Sequence, residues 1–236
     1  MEQVVITGAN RGIGLALAAA FAQGGAVVHA CCRRPSEAAE LNALAASTGH
    51  VHVHGLDVTS DESIHQAAQV IGGQTDHIDL LINNAGINNQ PGTRGLEQLT
   101  RLALNTILDN NATSALIVTQ AFYPLLKASA NPRVAMISSQ IGSMTWADPA
   151  RGYKGYGYAM SKAAMNMAAR VLASELGGAG VTTVTIHPGW VRTDMGGDSA
   201  DISPEESAAG IHRLLTTLTP AANGSFFKWN GEIHPW

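Results

Sequence analysis

Cysteine is almost absent: the 236 residues hold two, Cys31 and Cys32, and these are neighbours in the chain. Adjacent cysteines cannot build a disulfide framework and lack the spaced partners of a zinc site. A reducing compartment is therefore expected, no metal is assigned, and both thiols read as strand packing. Charge is sparse too, at 14% Asp, Glu, Lys and Arg, with a formal net charge of -4. The few Lys and Arg residues are scattered, which leaves no basic field for a phosphate backbone, so nucleic acid is not an expected partner. No apolar run is long enough to span a bilayer. Met1-Glu2-Gln3 passes straight into Val4-Val5-Ile6 without the cationic lead-in of a cleavable leader, and a cytoplasmic protein with no membrane partner is expected. Internal repeats, charged tails and low-complexity linkers are missing as well. With 45% hydrophobic residues, the length suits one substantial core, and a single domain over 1–236 is expected.

What is present is an alternation. Short β-branched runs occur at Val4 to Thr7, Ala26 to Cys32, Val51 to Leu56, Leu80 to Asn83, Val134 to Ser138 and Val181 to His187. Between them lie Ala- and Leu-rich stretches such as Ile13 to Gln23 and Ser36 to Ser47. Strands apolar on both faces, alternating with helices, predict an α/β fold of Rossmann-like type: a doubly wound parallel sheet in a three-layer αβα arrangement. Past Gly189 the pattern loosens through Gly196-Gly197-Asp198-Ser199 before Ser203-Pro204-Glu205-Glu206 signals a capped helix. That irregular segment, around 190–205, is expected to carry a substrate lid.

Two local patterns carry chemistry. The first strand ends in Thr7-Gly8-Ala9-Asn10-Arg11-Gly12-Ile13-Gly14, a turn that lets backbone approach a pyrophosphate and aims a helix N-terminus at its charge. A tight turn wants glycine in any case, so the glycines count only in context. The second strand is followed by Arg33 and Arg34 with no acid in place. A carboxylate there accepts from a ribose 2'-hydroxyl, whereas a guanidinium pairs with a 2'-phosphate, so NADP(H) is expected over NAD(H). Further on, Tyr158-Ala-Met-Ser-Lys162 sets a phenol and an ammonium on one helix face. A tyrosine of pKa around 10 exchanges protons reluctantly near neutrality, and the cation is expected to stabilise its phenolate. Tyr153 and Tyr156 compete, but Gly157 and Met160 stand four residues after them.

The spacing Thr-Gly-x-x-x-Gly-x-Gly resembles the short-chain dehydrogenase/reductase family, and further landmarks follow in order along essentially the whole chain. Asp57-Val58 resembles the pair that meets the adenine. Asn83-Asn84-Ala85-Gly86 resembles the tetrad that steadies the sheet and lines the cofactor. His187-Pro188-Gly189-Trp190-Val191-Arg192-Thr193 resembles the segment whose Val backbone and Thr hydroxyl hold the nicotinamide carboxamide. The resemblance implies cofactor contacts from Gly8, Asn10, Arg11, Gly12, Ile13, Gly14, Arg33, Asp57, Val58, Asn84, Ala85, Gly86, Tyr158, Lys162, Pro188, Gly189, Val191 and Thr193. Arg11 occupies a position where NADP-using members carry a base, so it and Arg33 are expected to converge on one phosphate.

It also implies a catalytic set of Asn111, Ser139, Tyr158 and Lys162. Ser139, the second of two adjacent serines, would orient the substrate oxygen; Lys162 would grip the nicotinamide ribose; Asn111, preferred over Asn110 on alignment, would bend its helix and hold a water leading from Lys162 to solvent. Within the family the likeness is to the C-signal-like and sniffer-like carbonyl reductases, through Pro188 to Gly197 and Trp229 to Trp236. The activity so implied is hydride transfer between NADP(H) and a small carbonyl or alcohol, with Tyr158 as acid and base. A homodimer paired through the helices beginning near Asn110 and Tyr158 is implied, with a tetramer left open. The interval from Ser139 to Tyr158 is longer than in most of the family, and its extra stretch, Trp146 to Gly155, is expected to build part of the substrate wall. Trp146 and Trp190 either flank an apolar substrate or simply pack. The other reading is a catalytically silent dinucleotide-binding regulator or signalling protein, which would have no need of the intact Asn111, Ser139, Tyr158 and Lys162.

Overall fold

Val, Ile and Thr fit a pleated surface buried on both sides, and they dominate the six anticipated runs. A computed structural model, which describes every residue except 89, 90, 149, 151, 152 and 154, pairs these runs with one more into a seven-stranded sheet. The strands are β1 (Gln3–Thr7), β2 (Val27–Cys32), β3 (Val51–Gly55), β4 (Leu80–Asn83), β5 (Arg133–Ile137), β6 (Thr182–His187) and β7 (Phe226–Lys228). Their order is β3-β2-β1-β4-β5-β6-β7, and every neighbouring pair is parallel. The winding reverses between β1 and β4, which opens a crevice beyond the carboxyl ends of those two strands.

Alternate residues of each strand feed two separate cores. Val4, Ile6, Val28 and Val184 meet Leu17 and Phe21 of α1 (Gly12–Gln23), Leu41 of α2 (Ala39–Thr48) and Ile211 of α7 (Pro204–Thr216). On the other face Val5, Leu81 and Val134 meet Ile64 of α3 (Asp61–Gly72), Phe122 of α5 (Ser114–Lys127) and Met165 of α6 (Tyr156–Gly177). A shorter helix, α4 (Arg101–Leu108), leads into α5 through a π-helical turn at Asp109–Thr113. Cys31 and Cys32 are buried within β2, as strand packing requires.

Three expectations shift. β3 stops at Gly55, one residue short of the anticipated Val51 to Leu56, and Asp57 and Val58 lie in the turn beyond it. The stretch from Ser36 divides into a 3-10 turn at Pro35–Glu37 and then α2, because Ala38 takes a non-helical conformation (φ -87°, ψ 66°). The strand β7 was not anticipated: it is three residues long, and its pairing with β6 is what holds it in the sheet. The cap at Ser203 is formed as expected, its hydroxyl accepting from Glu206 N at 3.1 Å.

Candidate active site

The glycine turn is built by close approach. Gly8 (φ 66°) and Gly12 (φ 55°) adopt left-handed conformations that glycine tolerates without strain. A Cβ on Gly14 would lie 2.2 Å from the Gly8 carbonyl oxygen and 2.6 Å from Asn84 Nδ2. Asn84 explains that crowding: Nδ2 donates to the carbonyls of Thr7 (2.9 Å) and Gly8 (3.1 Å). Thr7 Oγ1 in turn accepts from the N–H groups of Asn84 (3.0 Å) and Ala85 (3.1 Å). The ends of β1 and β4 are thereby laced together at the crevice. Arg11, the N-cap of α1, makes no capping bond and the first turn holds no acid, so the positive end of this helix has no anion of its own there. A dinucleotide pyrophosphate fits such a cradle.

From this turn a cleft of about 1620 Å³ runs to the start of α6. Every cofactor residue assigned from the sequence borders it except Asp57. Asp57 Oδ1 accepts from Thr59 N (3.0 Å) and Thr59 Oγ1 (2.8 Å), and its backbone N–H donates to Ser63 Oγ (2.9 Å), which makes it a turn former. Asn83 points the other way and donates to Thr119 Oγ1 at 3.0 Å, fastening β4 to α5.

At the far end stand Tyr158, Ser139 and Lys162. Burial pushes the Tyr158 phenol up to about 12, neighbouring Tyr153 adds to this, and a hydrogen bond with Ser139 works in the opposite direction. Lys162 Nζ lies 5.8 Å from the centre of the Tyr158 ring and donates to the Ile137 carbonyl at 2.8 Å. Burial pushes this ammonium down to about 8. The expected easing of the phenol by the lysine does not set its direction: Lys162 is turned to the Ile137 carbonyl, and desolvation comes first at both groups.

Asn111 sits in the π-helical turn, fully buried. Its Oδ1 accepts from Ile87 N (2.7 Å), and Nδ2 donates to Ile87 O (2.9 Å) and Ser161 Oγ (2.9 Å). It does not border the cleft but stands behind Gly86, where a Cβ would lie 3.2 Å from Asn111 Oδ1 and 3.7 Å from Lys162 Nζ. Asn110 does border the cleft, yet its amide is turned back to the Thr106 carbonyl at 2.9 Å. Ser138 Oγ donates to Asn166 Oδ1 at 2.6 Å, and Asn166 Nδ2 donates to Gly142 O at 3.0 Å. Sequence reasoning missed Asn166, whose only signal was a polar residue one turn beyond Lys162.

The arginines depart from expectation. Arg33 borders the cleft and is exposed, whereas Arg11, which also borders it, is already paired, its Nη1 bonded to Asp194 Oδ2 at 2.5 Å. Arg34 pairs with Glu37 at 2.9 Å. Of the two tryptophans weighed as substrate flanks, Trp190 borders the cleft, while Trp146 packs edge-on against Tyr153, which does, with ring centres 6.2 Å apart. The rest of the stretch from Trp146 to Gly155 includes residues outside the described set. Among the described residues no cluster of His, Cys, Asp or Glu could hold a metal, and no helix is long and apolar enough to cross a membrane.

The family model for short chain dehydrogenases matches residues 2–202. This chain is a short-chain dehydrogenase. The C-signal protein of Myxococcus xanthus is 40% identical over 162 residues, 69% of this chain and 95% of that one. Among solved structures, the NADPH-bound carbonyl reductase from chicken fatty liver is 33% identical with a TM-score of 0.91, covering 100% of this chain and 99% of that one. The carbonyl reductase Sniffer of Drosophila melanogaster is 28% identical with a TM-score of 0.94 over the full length of both. The dehydrogenase thus has the fold and the carbonyl-reductase likeness anticipated from its motifs.

Proposed function

We propose that this short-chain dehydrogenase is an NADP(H)-dependent reductase of small carbonyl compounds, reversible toward the alcohol, with Tyr158 as acid and base. One observation carries the reading: Tyr158, Ser139 and Lys162 stand together on one wall of a cleft whose other end is the glycine turn. When bound there, the nicotinamide would give or accept the hydride. Tyr158 Oη holds the proton that the substrate oxygen needs, and a phenol pushed up to about 12 is fully protonated near neutrality, the form reduction requires. Ser139 Oγ donates to the same oxygen and stabilises charge developing on it. Lys162 serves the ribose and the return of the proton from solvent. Asn111 acts from behind, fixing Ile87 and Ser161 and so the first turns of α6. Val191 and Thr193 hold the carboxamide, and residues 190–205 form the lid.

The choice of NADP(H) rests on Arg11 and Arg33 and on the chain beyond β2, where Glu37 is already paired with Arg34. The NADPH found on the chicken carbonyl reductase supports it. A homodimer through α5 and α6 agrees with the exposure of Leu116, Met167 and Val171 on those helices. Replacing Tyr158 by Phe keeps the ring and removes the proton. Turnover of ketones and aldehydes with NADPH should fall by about 10² or more, while NADPH affinity stays within about twofold. Full turnover in the variant refutes the assignment, and NADPH binding without turnover by the unaltered protein across a broad panel would favour the regulator.

A further inference from the structure

The ion pair between Arg11 and Asp194 joins residues 183 positions apart and spans the cleft from the proposed lid to the glycine turn. The carboxylate is held on a stiff support. Gly196 N donates to Thr193 Oγ1 (3.2 Å), Gly197 N to Thr193 O (2.8 Å), and Trp190 Nε1 to Gly196 O (2.9 Å). At the base of this turn Val191 bridges Ile202, and Arg192 N donates to Ile202 O at 2.9 Å. Thr193 itself lies over the glycine turn, its Cγ2 3.2 Å from where Gly12 would carry a Cβ.

Electrostatics give the pair a reason. Arg11 stands at the positive end of α1, where the dipole disfavours a cation, and the first helical turn offers no acid. Asp194 is the anion the chain supplies from elsewhere. We propose that Asp194 is a stand-in for the cofactor's 2'-phosphate: it holds Arg11 to the lid until that phosphate displaces it, and so sets how strongly NADP(H) is preferred over NAD(H). This rests on the NADP(H) reading above. A phosphomonoester carries between one and two negative charges near neutrality and three acceptor oxygens, against one charge on Asp194, so it wins the guanidinium; a 2'-hydroxyl does not. Both partners are largely exposed, which keeps the competition small, about three- to fivefold in affinity.

Fluorescence titrations with NADPH, NADH, adenosine 2'-monophosphate and adenosine 5'-monophosphate test this on the full chain. Asp194→Asn should tighten NADPH and the 2'-monophosphate about three- to fivefold and leave NADH and the 5'-monophosphate within about twofold. Asp194→Ser should do the same, and both exposed substitutions should leave the thermal melt unchanged. Arg11→Gln should weaken NADPH, and adding Asp194→Asn to it should gain nothing further. An Asp194→Asn protein with unaltered NADPH affinity overturns the proposal. So does equal weakening of both dinucleotides, which marks a clasp that closes over any cofactor. If the unaltered protein binds NADH as tightly as NADPH, the cofactor reading and this proposal fail together; if it prefers NADPH and Asp194→Asn is inert, only this proposal fails.

Discussion

A methyl group at position 14 has nowhere to go. Its nearest neighbours would be a backbone carbonyl at 2.2 Å and the Asn84 amide at 2.6 Å, and neither can retreat, because that amide is what joins the two strands at the crevice. Gly14→Ala must therefore shift the Asn84 clamp or the start of α1. Overpacking of this kind costs about 1–3 kcal/mol. We expect a lower melting temperature and an NADPH affinity reduced by about tenfold, since roughly 1.4 kcal/mol of misplaced turn is worth that factor. Gly178→Ala is the control, for nothing lies within 4 Å of its Cβ position and its backbone is ordinary helix. Unchanged NADPH binding in Gly14→Ala would mean that the turn does not cradle the cofactor.

At the scale of elements, the segment that follows Ser139 is tied to a strap at the far edge of the sheet. Past β7 the chain folds back so that His234 N donates to Phe226 O at 2.7 Å. The Trp236 ring then lies 5.1 Å from that of Phe226, and Trp236 O accepts from Thr145 N (3.1 Å) and Thr145 Oγ1 (2.8 Å). Thr145 belongs to the segment that follows Ser139 and leads toward the stretch expected to wall the substrate. Removing Pro235 and Trp236 deletes two hydrogen bonds, each worth about 1 kcal/mol, to that wall. The KM for carbonyl substrates should rise several-fold while kcat and NADPH affinity stay nearly constant; steady-state kinetics decide, and an unchanged KM removes the strap from the site. Such long-range features are what the sequence hid. The glycine turn, six strands and the Ser203 cap were legible because each is written within a few consecutive residues. The strand β7 owes its place to pairing with β6, Asn166 to a fold that brings Ser138 against α6, and the Asp194 contact to Arg11 at the opposite end of the chain. The direction in which the Tyr158 phenol is pushed was hidden for the same reason, since spacing reveals the lysine but not the desolvation at the start of α6.

Taken as a whole, the molecule buries histidines at both edges of its sheet. Between β2 and β3, His29 Nδ1 and His54 Nε2 are 3.1 Å apart, His52 stacks on His29, and Gln3 Oε1 lies 3.2 Å from the other His29 nitrogen. Beside β7, His187 faces His234 and Lys228, and its buried Nδ1 has no hydrogen-bond partner among the described residues. Burial first, then the repulsion a protonated ring would meet from neighbouring imidazoles and, at His187, from Lys228 as well, pushes His29, His54 and His187 from 6.5 to about 4. Between those two values the unfolded chain binds more protons than the folded one. Their contribution to stability is therefore complete above pH 6.5 and lost as pH falls toward 4. Lys162 adds nothing to this change, because with a folded value of about 8 it is protonated in both states throughout that window. One pK unit is about 1.4 kcal/mol, so even with His29 and His54 counted as one coupled site the full loss by pH 4 is on the order of several kcal/mol. Thermal melts should drop steadily from pH 7 to pH 5, and replacing His29 and His54 together by Gln should flatten that slope by more than replacing exposed His65 does. A melting temperature that holds level from pH 7 to pH 5 would mean that these imidazoles are not kept neutral by the fold.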